Sequence, residues 1–293
     1  MIFSVANRSV ISGLLGAFGE IVERLPSWDL LSTIITIVET ICSDKVRHLP
    51  PCLVLVHTAT DCLLHLFQAA HLQLADVCLI WSIISRSLAP RTSSPTPSPS
   101  TLPQLYLSIT SSTTSLIRHR RDLVASTAPH LSAIVTQLIW CLRSTRPNLG
   151  GRQTRSVVET LPGWINVVSQ PLGTEEARSL ARLLTSLTAK TIPRTHAQPS
   201  SSKPTKAESL ATPLSKHAPF LLLAYVRLLT DLNSVVPSLM RRELEPGVGA
   251  LCQMVGEKDR DAIMIGGGLD GGGKGVLKMV WAEWESGRYV GKG

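Results

Sequence analysis

Apolar side chains recur three or four positions apart along most of this chain. Residues 8–24 place Val10, Leu14, Phe18 and Ile21/Val22 in one stripe, which predicts an amphipathic helix. Residues 28–42 repeat the pattern with Leu31, Ile34/Ile35, Val38 and Ile41. Residues 51–88 are long enough for two helices, with a break near His71–Leu74. One helix is expected over Leu105–Val124 and another over Leu131–Leu142, after Pro129. A shorter one over residues 155–168 is interrupted by Pro162–Gly163. Residues 174–189 give the clearest pattern. Thr174 stands as a cap, Glu175 and Glu176 fall in the positive first turn, and Ala177, Leu180, Leu183/Leu184 and Leu187 form the apolar face. Pro219 suits the first turn of a helix over Phe220–Leu232, so the string Lys216–Pro219 is read as architectural. Helices near 235–255 and 275–287 close the series. No period-two run is long enough to demand a sheet.

Two tracts interrupt this pattern. PRTSSPTPSPSTLP, residues 90–103, carries proline every few positions and almost nothing to bury. Residues 191–213 have the same character with a basic bias. The expected organisation is a helical segment over 1–89, a disordered linker over 90–103, and a C-terminal helical domain over 104–293 with a disordered insert at 193–212. The expected fold class is all-α: an antiparallel helical array, solenoid-like in the manner of ARM and HEAT proteins, with Pro/Ser-rich disordered inserts. No sequence repeat of fixed period assigns a named repeat class.

Composition sharpens this picture. The chain has 293 residues, 44% hydrophobic and only 17% charged, which is too apolar for a mainly disordered protein. Aromatic residues are 4%, which favours helix on helix over a sheet protein. The net charge is +8 and the pI about 9.4, compatible with an acidic partner such as RNA. Cys42, Cys52, Cys62, Cys78, Cys141 and Cys252 form no CxxC pair and mostly sit in apolar runs. They read as buried free thiols in a reducing compartment. The N-terminus lacks a basic region ahead of an apolar core, so no signal peptide is expected. The longest uncharged apolar stretch, Leu123–Leu142, contains Pro129, His130, Thr136 and Gln137. That predicts a buried helical hairpin and no membrane association.

Candidate chemistry is sparse. IGGGLDGGGKG, residues 265–275, sets Gly268, Gly273 and Lys274 at the spacing of a phosphate-binding loop. That loop needs Ser or Thr after the lysine to hold magnesium, and Gly275 stands there. A turn between two helices is the plainer expectation. His57, Asp61 and His65 share a helical face but lack the glutamate of a HExxH zinc site, and no Gly-x-Ser-x-Gly elbow occurs. No catalytic residue, cofactor or metal is therefore assigned. The basic residues carry more. Between positions 118 and 155 stand seven arginines, Arg118, Arg120, Arg121, Arg143, Arg146, Arg152 and Arg155, against one acid, Asp122. Such density can neutralise phosphates, so these seven are the candidate RNA- or partner-binding residues, although no RNA-stacking aromatic motif accompanies them.

Four strings in order add a family resemblance. They are LIRHRRDLVASTAPHLSAIVTQLIWCLR (116–143), ARSLARLLTSLTAK (177–190), LSKHAPFLLLAYVRLL (214–229) and the closing stretch 244–293, with LEPGVGALCQMVGEKDRDAI and LDGGGKGVLKMVWAEWESGRYVGKG. Together they resemble the C-terminal domain of the fungal nucleolar 27S pre-rRNA processing proteins of the Urb/Npa type, over roughly residues 105–293. The Lys216–Pro219 string and the glycine–lysine tail after an aromatic helix are its most specific marks. The family pattern reads as a helical turn over 266–275, from which the glycines here depart. Each interior glycine weakens a helix by about 1 kcal/mol.

The resemblance implies a large helical scaffold that works in the nucleus and nucleolus. There it acts in early large-subunit assembly, beside a sister helical scaffold and a DEAD-box helicase. The leading functional reading is thus a non-enzymatic scaffold or adaptor in ribosome biogenesis and 27S pre-rRNA processing, with possible pre-rRNA contact. A helical protein–protein adaptor with no ribosomal role is the second reading. A nucleotide-using enzyme through 265–275 is the third.

Overall fold

Helix covers 77% of the described residues, in ten helices, with one two-stranded sheet beside them. The computed structural model describes residues 74–90, 102–165, 167, 171–190 and 209–289. The helices expected over 8–24, 28–42 and the first part of 51–88 lie outside these residues, as do most of the two Pro/Ser tracts.

In chain order the elements are α1 (Leu74–Ser87), α2 (Leu102–His119), α3 (Arg121–Ser126), α4 (Ala128–Cys141), β1 (Ser144–Thr145), α5 (Gly151–Glu159), α6 (Thr174–Thr188), α7 (Ala211–Leu214), α8 (Ala218–Thr230), β2 (Ser234–Val235), α9 (Ser238–Gly266) and α10 (Gly271–Tyr289). The all-α expectation holds. The main contacts are α6 on α9 and α2, and α8 on α4, α9 and α10; among these pairs only α8 and α9 are consecutive helices. β1 and β2 pair antiparallel, Ser144 opposite Val235 and Thr145 opposite Ser234, and tie the end of α4 to the end of α8.

Several expected boundaries move. The tract expected as linker over 90–103 already enters α2 at Leu102. Residues 209–212 of the expected insert are packed: Leu210 is buried, and the Ser209 hydroxyl donates to the Leu187 and Thr188 carbonyls at the end of α6. One apolar side chain and one hydroxyl suffice to anchor the chain there. The single helix expected over 105–124 breaks at Arg120, whose φ of −131° and ψ of 50° are not helical. The helix expected over 155–168 occupies residues 151–159. Thr174 is not the cap of α6. Gly173 is, and its N–H donates to Glu176 Oε2 at 2.7 Å. Pro219 does fall in the first turn of α8.

The core runs through every long helix, with Trp81, Tyr106, Leu138, Leu180 and Leu251 all buried. One polar stripe lies inside it. Ser108, Thr110, Ser112 and Thr113 of α2 are buried. Thr110 and Thr113 donate back to the Tyr106 and Ile109 carbonyls at 3.0 and 2.8 Å. The Thr110 hydroxyl also meets Ser179 Oγ of α6 at 2.7 Å. Hydroxyls satisfied within their own helix cost little to bury, so a stretch that reads as polar serves as packing surface.

Cys141 and Cys252 are buried free thiols, as expected, and Cys78 is exposed. The other three cysteines lie outside the described residues. Burial pushes the Cys141 and Cys252 thiols up to about 12, so both stay protonated near neutral pH. Maleimide labelling of the folded protein at pH 8, mapped by mass spectrometry, should modify Cys78 within minutes. Cys141 and Cys252 should react only after unfolding. Rapid labelling of Cys252 in the folded chain would contradict this packing.

Candidate partner interface

The seven arginines separate into three kinds. Arg121 and Arg143 are buried. Helix α6 ends with carbonyls that lack helical partners. Arg121 reaches them from α3, donating Nη1 to the Ala189 carbonyl and Nη2 to the Ser186 carbonyl, the latter at 3.2 Å. Arg143 donates Nε to the Trp140 carbonyl and Nη2 to Thr160 Oγ1, both at 3.0 Å. It also lies 4.5 Å from the centre of the Trp140 ring and 3.8 Å from Asp231. Burial lowers both guanidinium pKa values from their ordinary range, yet an arginine stays charged inside proteins. Arg146 donates Nε to the Ser234 carbonyl and Nη2 to the Asp231 carbonyl, each at 3.0 Å. These three therefore join helix ends and the β1–β2 corner, with Arg121 and Arg143 buried and Arg146 exposed.

Arg120 and Arg155 form the second kind. Arg120 lies 3.4 Å from Asp122, and Arg155 meets Glu159 at 2.8 Å across one exposed turn of α5. The exposed Arg155–Glu159 pair is worth little and exchanges readily for another anion, whereas the Arg120 side chain is largely covered. Arg118 and Arg152 form the third kind, exposed and without an ion pair among the described residues. Of the seven, Arg118, Arg146, Arg152 and Arg155 are exposed, and Arg120 is half-buried. Replacing Arg121 by glutamine should cost about 2 kcal/mol, the scale of charged hydrogen bonds lost from a buried site. Replacing Arg118 should change stability by less than about 0.5 kcal/mol. Urea unfolding of the two single variants checks the contrast.

The glycine-rich stretch forms a turn between two helices. Helix α9 ends at Gly266, and the Arg227 side chain donates to the Gly267 carbonyl at 3.1 Å. Gly268 takes φ +62°, a left-handed turn. Asp270 then opens α10: its carboxylate accepts the Gly273 N–H at 2.7 Å, and its carbonyl accepts the Lys274 N–H at 3.0 Å. A strong cap offsets the weak glycines, so helix forms where the composition argues against it. Gly271 to Gly275 are helical, and Lys274 belongs to the first turns of α10. No group of three metal-binding side chains occurs among the described residues, and His57, Asp61 and His65 lie outside them.

One concave surface escaped the sequence reading. An open groove of about 950 Å³ runs between α9 and α10. Trp281 and Trp284 form one wall, with ring centres 5.0 Å apart at 63°. The Trp281 indole N–H donates to Glu285 at 2.7 Å, one turn along. The groove faces Glu245 and Glu257 on α9. Gly256 interrupts α9 here with φ +70°, so two helical runs meet at a bend. A β-carbon on Gly249 would stand 3.3 Å from Trp284 Cδ1, so that position keeps the indole seated against α9. The readable signal was Trp281 and Trp284 at i, i+3 with Glu283 and Glu285 between and after them. Its partner on α9 lies too far off in sequence for periodicity to join.

No described helix is long and apolar enough to cross a membrane. A model of the Urb2/Npa2 family matches residues 32–292. No curated protein and no solved structure matches the chain.

Proposed function

Because the chain belongs to the Urb2/Npa2 family, and so to ribosome biogenesis, we propose that it is a non-enzymatic scaffold of large-subunit assembly, needed for 27S pre-rRNA processing. The observation that carries this reading is the family match along residues 32–292. The fold is in keeping with it. Its helices hold one another through buried arginines and close apolar contacts, which suits a rigid body that presents faces to other factors. Partners of the kind expected are a sister helical scaffold and a DEAD-box helicase. In this reading Arg118, Arg152 and Arg155, all exposed, approach pre-rRNA phosphates. The site of action is the nucleolus.

The mechanism is positional. Each factor bound to the chain raises the local concentration of the others, and no bond is made or broken by its own side chains. Depletion of the chain in its own cell, with rRNA precursors separated by size, tests this. The 27S species should fall while small-subunit precursors persist. Unchanged 27S levels would contradict the proposal, as would ATP turnover by the purified chain that is lost on Lys274→Ala.

A further inference from the structure

We propose that the groove between α9 and α10 is a docking site for an arginine-rich polypeptide segment. Four carboxylates line it: Glu245 and Glu257 from α9, Glu283 and Glu285 from α10. No lysine or arginine lines it among the described residues. This happens on a chain whose net charge is +8, so the groove is a local reversal of the protein's field. Glu245, Glu257 and Glu283 form no salt bridge among the described residues, which leaves their carboxylates available. One of the chain's own arginines lies close by. Arg260 pairs with Asp261 at 2.8 Å, lies 5.2 Å from the Trp281 ring centre, and has its pKa raised by Asp261 first and also by the charges of Glu257 and Glu285. Arg241 influences Tyr225 from the α9 side.

The charge is combined with apolar surface. Val280 and Trp281 are buried in the wall, and Trp284 is half-buried. Guanidinium groups suit such a surface. They stack on indole faces and donate to carboxylates through a planar fork, whereas ammonium groups do neither as well. A nucleic-acid strand also stacks on tryptophan, but its phosphates would face four carboxylates. Tyr225, at the base of the groove, reports the same field. Burial raises its hydroxyl pKa to about 12, and Glu283 and Glu245 add to the rise while Arg241 opposes it. The left-handed Gly256 keeps the bend free of a side chain, since an L-residue there would be strained.

The inference does not depend on the ribosomal reading and is tested on the purified full chain. The probe is fluorescein-labelled nona-arginine, followed by anisotropy at low salt. Binding is expected, and it should weaken as salt rises. The double variant Glu257→Gln/Glu283→Gln should bind about tenfold more weakly with an unchanged melting temperature, because both side chains are exposed. Trp284→Ala should also weaken binding, and the glutamine variant guards against reading misfolding as lost affinity. Nona-glutamate should not bind. The proposal fails if nona-arginine does not bind, or if the double glutamine variant binds it as tightly as the parent. It also fails if a labelled twelve-nucleotide oligouridylate binds and is weakened by the Trp284→Ala change, which would make the groove a nucleic-acid site.

Discussion

Replacing Gly247 with leucine should destabilise the fold by about 3 kcal/mol, through overpacking at a close helix contact. Gly247 lies on α9 where that helix crosses α6. A β-carbon there would stand 2.8 Å from the Ala181 α-carbon and 3.0 Å from Leu184 Cδ1. The first neighbour is backbone and has no rotamer to yield. Leucine is the better helix former by about 1 kcal/mol, and that gain is smaller than the cost of separating the helices. The separation would also strain the forked bond of Arg178 to Glu243, whose two contacts at 2.8 and 2.9 Å bridge the same two helices. Gly275→Ala is the control. It is helical, and nothing lies within 4 Å of its added β-carbon, so it should stabilise by up to about 1 kcal/mol. Urea midpoints of the two variants should move in opposite directions. A neutral Gly247→Leu would mean that α6 and α9 do not approach as described.

The second large effect is expected at Trp81. It is 1% exposed, at the centre of α1, and its indole N–H donates to Thr127 Oγ1 at 2.8 Å. Truncation to alanine should cost about 3–5 kcal/mol, a large share of the stability of an ordinary domain. Trp81→Phe separates volume from hydrogen bonding. Thr127 keeps its own bond to the Leu123 carbonyl at 3.0 Å, so loss of the indole donor alone should cost about 1 kcal/mol beyond the smaller volume. Thermal and urea unfolding of both variants would order them. A Trp81→Ala protein as stable as the parent would remove α1 from the cooperative fold.

These variants probe features that differ in how visible they are in the sequence. The helices of 174–189 and 218–230 were legible because their apolar stripes and end residues agree, with Glu176 and Pro219 marking their first turns. The break at Arg120 was not. Neither proline nor glycine marks it, and Arg121 is held by carbonyls 65 and 68 positions later. The helical start of α10 was hidden by four glycines, which the carboxylate of Asp270 outweighs locally by capping the helix. The burial of Ser108 to Thr113 was not legible, since sequence cannot tell a hydroxyl bonded to its own helix from one bonded to water. Charge density found the arginines, while their roles depended on which helix end each one met. Local charge said nothing of Arg143, whose partners Thr160 and Asp231 are distant in sequence.

The most direct measurement of the central claim is affinity purification of the tagged full chain after RNA crosslinking, with the recovered rRNA sequenced. The account predicts enrichment of 27S large-subunit precursors over mature rRNA and over small-subunit precursors. Recovery without any precursor enrichment, or with small-subunit precursors alone, would contradict it.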